Sequence, residues 1–195
     1  MIPTDWQMLL DDVGWEQVAD RVVDVGEVKV WRRTIDDLWC LRAQGSSKAT
    51  PDHLLDTVWD VARVPSWSSN ALTVSDVLWT GPSEQVFWQA LDLPFPMSDR
   101  LWVLRATAVH DGDARAMRWN REPASAWPAV QPGDAMEMPV SWGEWAFAPA
   151  SGGGSVVEWR GCQDIGGAVP AWLQTWGATR SLPSAVSDLV HAAER

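Results

Sequence analysis

Two strand-forming runs joined by a connector that no sheet can accept constrain this chain more than any other feature. Gln85-Val-Phe-Trp-Gln-Ala-Leu91 and Leu101-Trp-Val-Leu-Arg-Ala-Thr-Ala-Val109 are rich in β-branched and aromatic residues. Between them lies Asp92-Leu-Pro-Phe-Pro-Met-Ser-Asp99, where Pro94 and Pro96 each remove a backbone donor and fix φ. Leu93, Phe95 and Met97 alternate with those prolines on a short, stiff arch. Apolar side chains on such a loop are normally either packed or used.

The flanking sequence alternates between the two periodicities. Thr4-Asp-Trp-Gln7 has the form of a capping box, Trp6, Leu9, Leu10 and Val13 follow at helical spacing, and Gly14 can close the helix. Glu27–Thr34 and Leu38–Lys48 read as a hairpin turning at Asp36-Asp37. Thr50-Pro51 caps a second helix with the stripe Leu54, Leu55, Val58, Trp59 and Ala62, which Pro65 is expected to stop. Strands follow at Ala71–Trp79, the central pair, Ala114–Arg121, Ser141–Ala148 and Ser155–Cys162. Asp111-Gly112 makes one hairpin turn, Gly152–Gly154 another, and the proline-rich residues 123–140 a long loop. From Val169 the period is helical again, with Trp172, Leu173 and Trp176 on one stripe, and Pro183 predicts a kinked or broken C-terminal helix. The order predicts an α+β fold with helices segregated to one side of a largely antiparallel sheet.

At 195 residues the chain is expected to form one domain, residues 1–195, burying roughly 70% of its unfolded surface. A net charge of −11 argues against nucleic acid as partner and against adhesion to anionic membranes. No run reaches the roughly 18 apolar residues of a membrane span, and Asp5, Asp11 and Asp12 interrupt any export signal. Cys40 and Cys162, too few for a disulfide scaffold, are expected to be buried free thiols, which fits a cytoplasmic, reduced protein. The aromatic usage is unusual, with sixteen Trp, three Phe and no Tyr. Individual Trp residues read as core, but several lining a cavity would combine large apolar area with an N–H that seeks a partner.

Enzyme templates find no footing. His53, His110 and His191 lie far apart in the pattern, and Gly152-Gly-Gly-Ser155 lacks the Lys-Ser/Thr of a phosphate loop and joins two strands. No catalytic residue, metal site or cofactor is implied.

Leu93-Pro-Phe-Pro-Met-Ser-Asp-Arg100 resembles the loop-to-strand signature of the START (StAR-related lipid-transfer) family, in which a proline-containing loop ends at S-x-R-D. Val28-Lys-Val-Trp-Arg32 resembles the family's early strand, Val61-Ala-Arg-Val-Pro-Ser-Trp67 its helix end, and Asp164-Ile-Gly-Gly-Ala-Val-Pro170 its glycine turn into the last helix. The four occur in order over about Trp15 to the C-terminus, with Leu101 and Ser68 standing where the family usually has acidic residues.

The resemblance implies a bacterial-type stand-alone member with a helix-grip fold, a curved sheet wrapped around a long C-terminal helix and enclosing a hydrophobic cavity. The implied function is non-covalent binding and transfer or presentation of one lipid, sterol or similar molecule. The alternatives are a polyketide cyclase/aromatase on a related scaffold, which needs an acid or base well inside the cavity, and a ligand-sensing module. Aligned on Pro96-x-Ser98-x-Arg100, the resemblance places Gln89 at a ligand-contacting position, and alternation adds Phe87 and Leu91 to its face. Arg118 and Asn120 would supply a second polar contact, with Arg63 and Trp67 at the helix end. Leu93, Phe95 and Met97 would form a gate with Trp172, Leu173 and Trp176, touching membranes transiently. A monomer with a pocket of at least about 300 Å³ is expected.

Overall fold

In the computed structural model, residues 4–70, 72–93, 95, 97–131, 133–167 and 171–195 are described, the side chains of 4–5 and 171–178 excepted. The capping role of Thr4, the prolines 94, 96 and 170, and the side chains of Trp172, Leu173 and Trp176 therefore lie outside the described residues.

Helix α1 (Thr4–Leu10) precedes three antiparallel strands, β1 (Glu16–Val23), β2 (Gly26–Ile35) and β3 (Leu38–Ser47). The β2–β3 turn works because Asp36 and Asp37 both take positive φ, 47° and 63°, as a two-residue turn matching strand twist requires. Helix α2 (Pro51–Trp59) starts where expected, with the Thr50 hydroxyl accepting from the His53 N–H at 3.3 Å and Pro51 in the first turn. Pro65 does not stop it. Asp60 caps α2, a 3₁₀ turn spans Val61–Arg63, and Pro65 sits in the first turn of α3 (Val64–Trp67), where a missing N–H costs nothing.

Strands β4 (Leu72–Thr80), β5 (Glu84–Leu91), β6 (Arg100–Asp111) and β7 (Ala114–Glu122) follow, then a short β8 (Met136–Glu137), β9 (Val140–Pro149), β10 (Ser155–Asp164) and α4 (Ala171–Ala193). They form one sheet in the order β1-β2-β3-β10-β9-β7-β6-β5-β4, antiparallel throughout except that β8 pairs parallel with β6. Among the described residues no helix is long and apolar enough to cross a membrane. Helix α4 runs unbroken through Pro183, because buried Leu182, Val186, Leu189 and Val190 hold it against the sheet on both sides of the proline. Its far end is fastened by Glu194, which accepts from Lys48 N–H at 2.7 Å and from the Ser47 hydroxyl at 2.8 Å. The Lys48 N–H is the main reason that carboxyl is held below its ordinary value. The stabilisation is present above the unfolded-state value and lost as pH falls through the lowered one.

The sheet has two unlike faces. The concave face carries Val30, Ala43, Phe87, Leu104, Met117, Trp119, Trp145, Trp159 and Val157, packed against α2 and α4. On the convex face α1 lays Trp6 and Leu9 over Ile35, Cys40 and Cys162, and Ala124, Trp127, Val130 and Ala135 pack with Val86, Leu101 and Val103. The cysteines are not free thiols. They face each other across β3 and β10, Cα atoms 4.1 Å apart, and are joined as a disulfide. The free-thiol argument for a reduced compartment falls with that pairing. Register explains the bond, since two cysteines at directly opposed antiparallel positions on one face have their β-carbons in reach of each other.

Convex charges organise in the same way. Arg118, Glu144, Arg160 and Arg42 occupy directly paired positions across β7, β9, β10 and β3. Glu158, only 5% exposed, accepts from Arg42 Nε at 2.6 Å, from Gln44 at 3.0 Å and from Arg160. Arg160 also donates to the Leu10 carbonyl at 2.6 Å and Arg33 to that of Met8 at 2.6 Å, so the sheet supplies the cations that α1 lacks in its last turn.

Candidate functional site

A cavity of about 250 Å³ lies between the concave face and the helices. Its floor and walls come from Phe87, Gln89 and Leu91 on β5, Trp102 and Leu104 on β6, and Met117 and Trp119 on β7. Trp145 and Trp159 close it on the far side, and Val61, Val64 and Trp67 with Leu182 and Ala185 of α4 form its roof. The volume is below the roughly 300 Å³ expected from the sequence for a ligand site.

Two glycines make room for the indoles. Gly143 and Gly161 are directly paired on β9 and β10, with Trp119 opposite Gly143 on β7. A β-carbon on Gly143 would lie 2.8 Å from Trp119 Cζ2, and one on Gly161 2.7 Å from Trp159 Cη2. The two rings therefore lie over a strip of bare backbone, their centroids 6.0 Å apart. The Trp119 N–H is buried with no hydrogen-bond partner among the described residues.

Gln89 is the polar centre of the wall. Ser75, Gln89 and Trp102 occupy directly paired positions on β4, β5 and β6. Trp102 Nε1 donates to Gln89 Oε1 at 3.0 Å, Gln89 Nε2 donates to Ser75 Oγ at 2.9 Å, and Ser75 Oγ donates to the Val61 carbonyl at 2.6 Å. Because indole N–H can only donate, the amide orientation follows from chemistry. Every lining side chain among the described residues is apolar or uncharged.

The other residues singled out in the sequence lie in different places. Trp67 joins Phe87, Gln89 and Leu91 at the cavity, and Trp88 points to the opposite face, in the cluster of Val86, Val103, Trp127 and Val130. Arg118 and Asn120 are corrected. Met117 and Trp119 take the inward positions, so alternation turns Arg118 and Asn120 to the convex face. There Arg118 Nε donates to Glu144 at 3.0 Å and the guanidinium lies 6.0 Å from the Trp6 ring, while Asn120 is exposed. Arg63 is also exposed and does not line the cavity; it borders a neighbouring groove with His53, Asp56 and Asp60, and Trp67 lines both. In the arch, Leu93 and Met97 are half-buried and Phe95 is 96% exposed.

The arch is pinned at its base. Leu93 N–H donates to Asp99 Oδ1 at 3.2 Å, and buried Arg100 donates to the carbonyls of Ser98, Ile165 (2.5 Å) and Gly166 (3.2 Å). One guanidinium thus joins the arch to the turn that leads into α4. Sequence reasoning missed Trp102, Ser75, Met117, Trp119, Trp145 and Trp159. Carrying the inward parity of Gln89 across the β5–β6 and β6–β7 hairpins would have found Trp102 and then Trp119.

No protein-family model matches the chain, and no curated protein does. Solved structures do. A STAR-related lipid transfer protein from Xanthomonas axonopodis superposes with a TM-score of 0.79 at 21% identity, covering 93% of this chain and 99% of that one. Human STARD10 gives 0.81 at 16% identity over 99% of this chain and 80% of its own. The Zhui aromatase/cyclase from Streptomyces sp. R1128 gives 0.61 at 13% identity over 80% of this chain and 93% of its own.

Proposed function

From the START helix-grip fold that the chain shares with these structures, we propose that it binds one compact, uncharged hydrophobic molecule in the cavity and carries or presents it. The supporting observation is the lining: four sheet-borne indoles and Trp67 around buried Gln89, with Ser68, Asn70, Gln163 and Ser181 as further uncharged polar groups. Catalysis of the cyclase type needs an acid or base there. The described lining has neither, and residues 168–178, Ala-Val-Pro-Ala-Trp-Leu-Gln-Thr-Trp-Gly-Ala, carry no ionisable side chain in their sequence. Carriage is therefore favoured over the aromatase/cyclase reading. Titration with fatty acids, sterols and polycyclic aromatics should change Trp emission saturably near one equivalent for the compact members. Flat titrations across all three classes would remove the proposal.

In this reading the 93–97 arch is the removable wall, working with the start of α4. Such a loop makes few ladder hydrogen bonds and can open at modest cost. Its tip would touch a bilayer during exchange, transiently given the net charge of −11. Because Phe95 is 96% exposed, Phe95→Asp should shift the melting temperature by less than about 2 °C. It should nonetheless slow ligand uptake from neutral vesicles, read by stopped-flow fluorescence. Uptake at the unmodified rate would mean that the tip does not touch the membrane.

A further inference from the structure

Gln89 is already hydrogen-bonded on both sides, and the direction of those bonds limits what it can hold. Its neighbours lie left and right in the same row of the sheet, Ser75 on β4 taking a proton from Nε2 and Trp102 on β6 giving one to Oε1. Ser75 cannot reverse its bond, because its own proton goes to the Val61 carbonyl at 2.6 Å. A primary amide has two N–H bonds and two oxygen lone pairs, in two sets: one set splayed sideways, the other side by side on its free end. Partners in the same row on either side of Gln89 are placed to take up the splayed set.

We infer that the free end of Gln89 presents one N–H and one lone pair, side by side, to the cavity. The cavity therefore selects an uncharged ligand carrying the matching donor–acceptor edge, as a carboxamide, lactam or imide does. This deepens the carrier reading and rests on it. A carboxylate is rejected for two reasons. It offers two acceptors, so one oxygen meets the Gln89 N–H while the other faces the lone pair of Oε1. No lining residue among those described carries a positive charge to compensate a buried anion. Fixed amide direction also means that Gln89 cannot rotate to suit the anion without breaking the bonds to both Trp102 and Ser75.

The test uses an isosteric pair, the carboxamide and the carboxylate of anthracene, titrated at about pH 8 where the acid is ionised. Binding is read as energy transfer from the Trp residues. The wild-type protein should bind the carboxamide roughly 10- to 100-fold more tightly, the range that an unpaired buried polar group produces. In Gln89→Leu the carboxamide should lose roughly tenfold or more, while the carboxylate changes by less than about threefold. Equal affinities in the wild type, or a preference for the carboxylate, overturn the inference and leave the carrier reading standing. An unchanged preference in Gln89→Leu overturns it as well. If neither molecule binds, both fail. Gln89→Met provides a second variant of similar volume should the leucine form not fold, and the wild-type comparison decides without either.

Discussion

Glu158→Ala is expected to destabilise the protein by about 3–5 kcal/mol, one of the two largest effects of any substitution considered. The carboxylate is 5% exposed and is shared by Arg42, Arg160 and Gln44. Removing it leaves two guanidinium groups, with side chains 13% and 12% exposed, facing each other across β3 and β10. Their remaining acid, Asp12, is largely in water and is reached by Arg42 at 2.8 Å and Arg160 at 3.4 Å. At roughly 2–4 °C per kcal/mol for a chain of this size, the melting temperature should fall by about 6–20 °C. Helix α1 should loosen as well, because Arg160 also holds its last carbonyls. Replacing Arg42, Glu158 and Arg160 together by Met should recover much of the loss, since desolvating the charges costs nearly as much as their pairing returns. A melting curve for Glu158→Ala within about 2 °C of wild type would show the cluster to be solvated.

The second large effect concerns the Cys40–Cys162 bond, which closes a loop of sequence separation 122. The double variant Cys40→Ala/Cys162→Ala should lose about 2–5 kcal/mol, mainly because the unfolded chain regains the freedom that the cross-link denies it. Urea unfolding with and without a reductant reads this directly. Reductant should shift the wild-type midpoint toward that of the double variant and leave the double variant where it was. A wild-type midpoint indifferent to reductant, and equal to that of the variant, would mean two buried thiols.

The elements most legible in the sequence were those with two independent signals. Helix α2 had a cap, a proline and an apolar stripe, and the β2–β3 hairpin had alternation on both sides of Asp36-Asp37. Strand β1 gave no such signal, because it is an edge strand with most side chains in water, and a bulge between Gln17 and Ala19 breaks the alternation of the few residues it packs on the core. Pro65 and Pro183 misled in the same way. A proline at the first turn of a helix, or in one held on both sides by buried neighbours, terminates nothing. The candidate site was half legible. Parity put Phe87, Gln89 and Leu91 on one face, and the resemblance chose the inward one, but β7 alternates two charged residues on each face. Only the apolar pair Met117 and Trp119 could have shown that Arg118 and Asn120 point outward. The disulfide was invisible because opposition of Cys40 and Cys162 depends on the register between β3 and β10, strands far apart in sequence.

The bare strip under Trp119 and Trp159 makes the width of the cavity adjustable from beneath. A methyl group on Gly161 would lie 2.7 Å from Trp159 Cη2 and so displace a ring that lines the cavity. On Gly143 the same group would come within 2.2 Å of the Arg160 carbonyl and prise two strands apart. Of two hydrogen atoms on paired residues, then, one is a dial for that width and the other a condition for having a sheet at all.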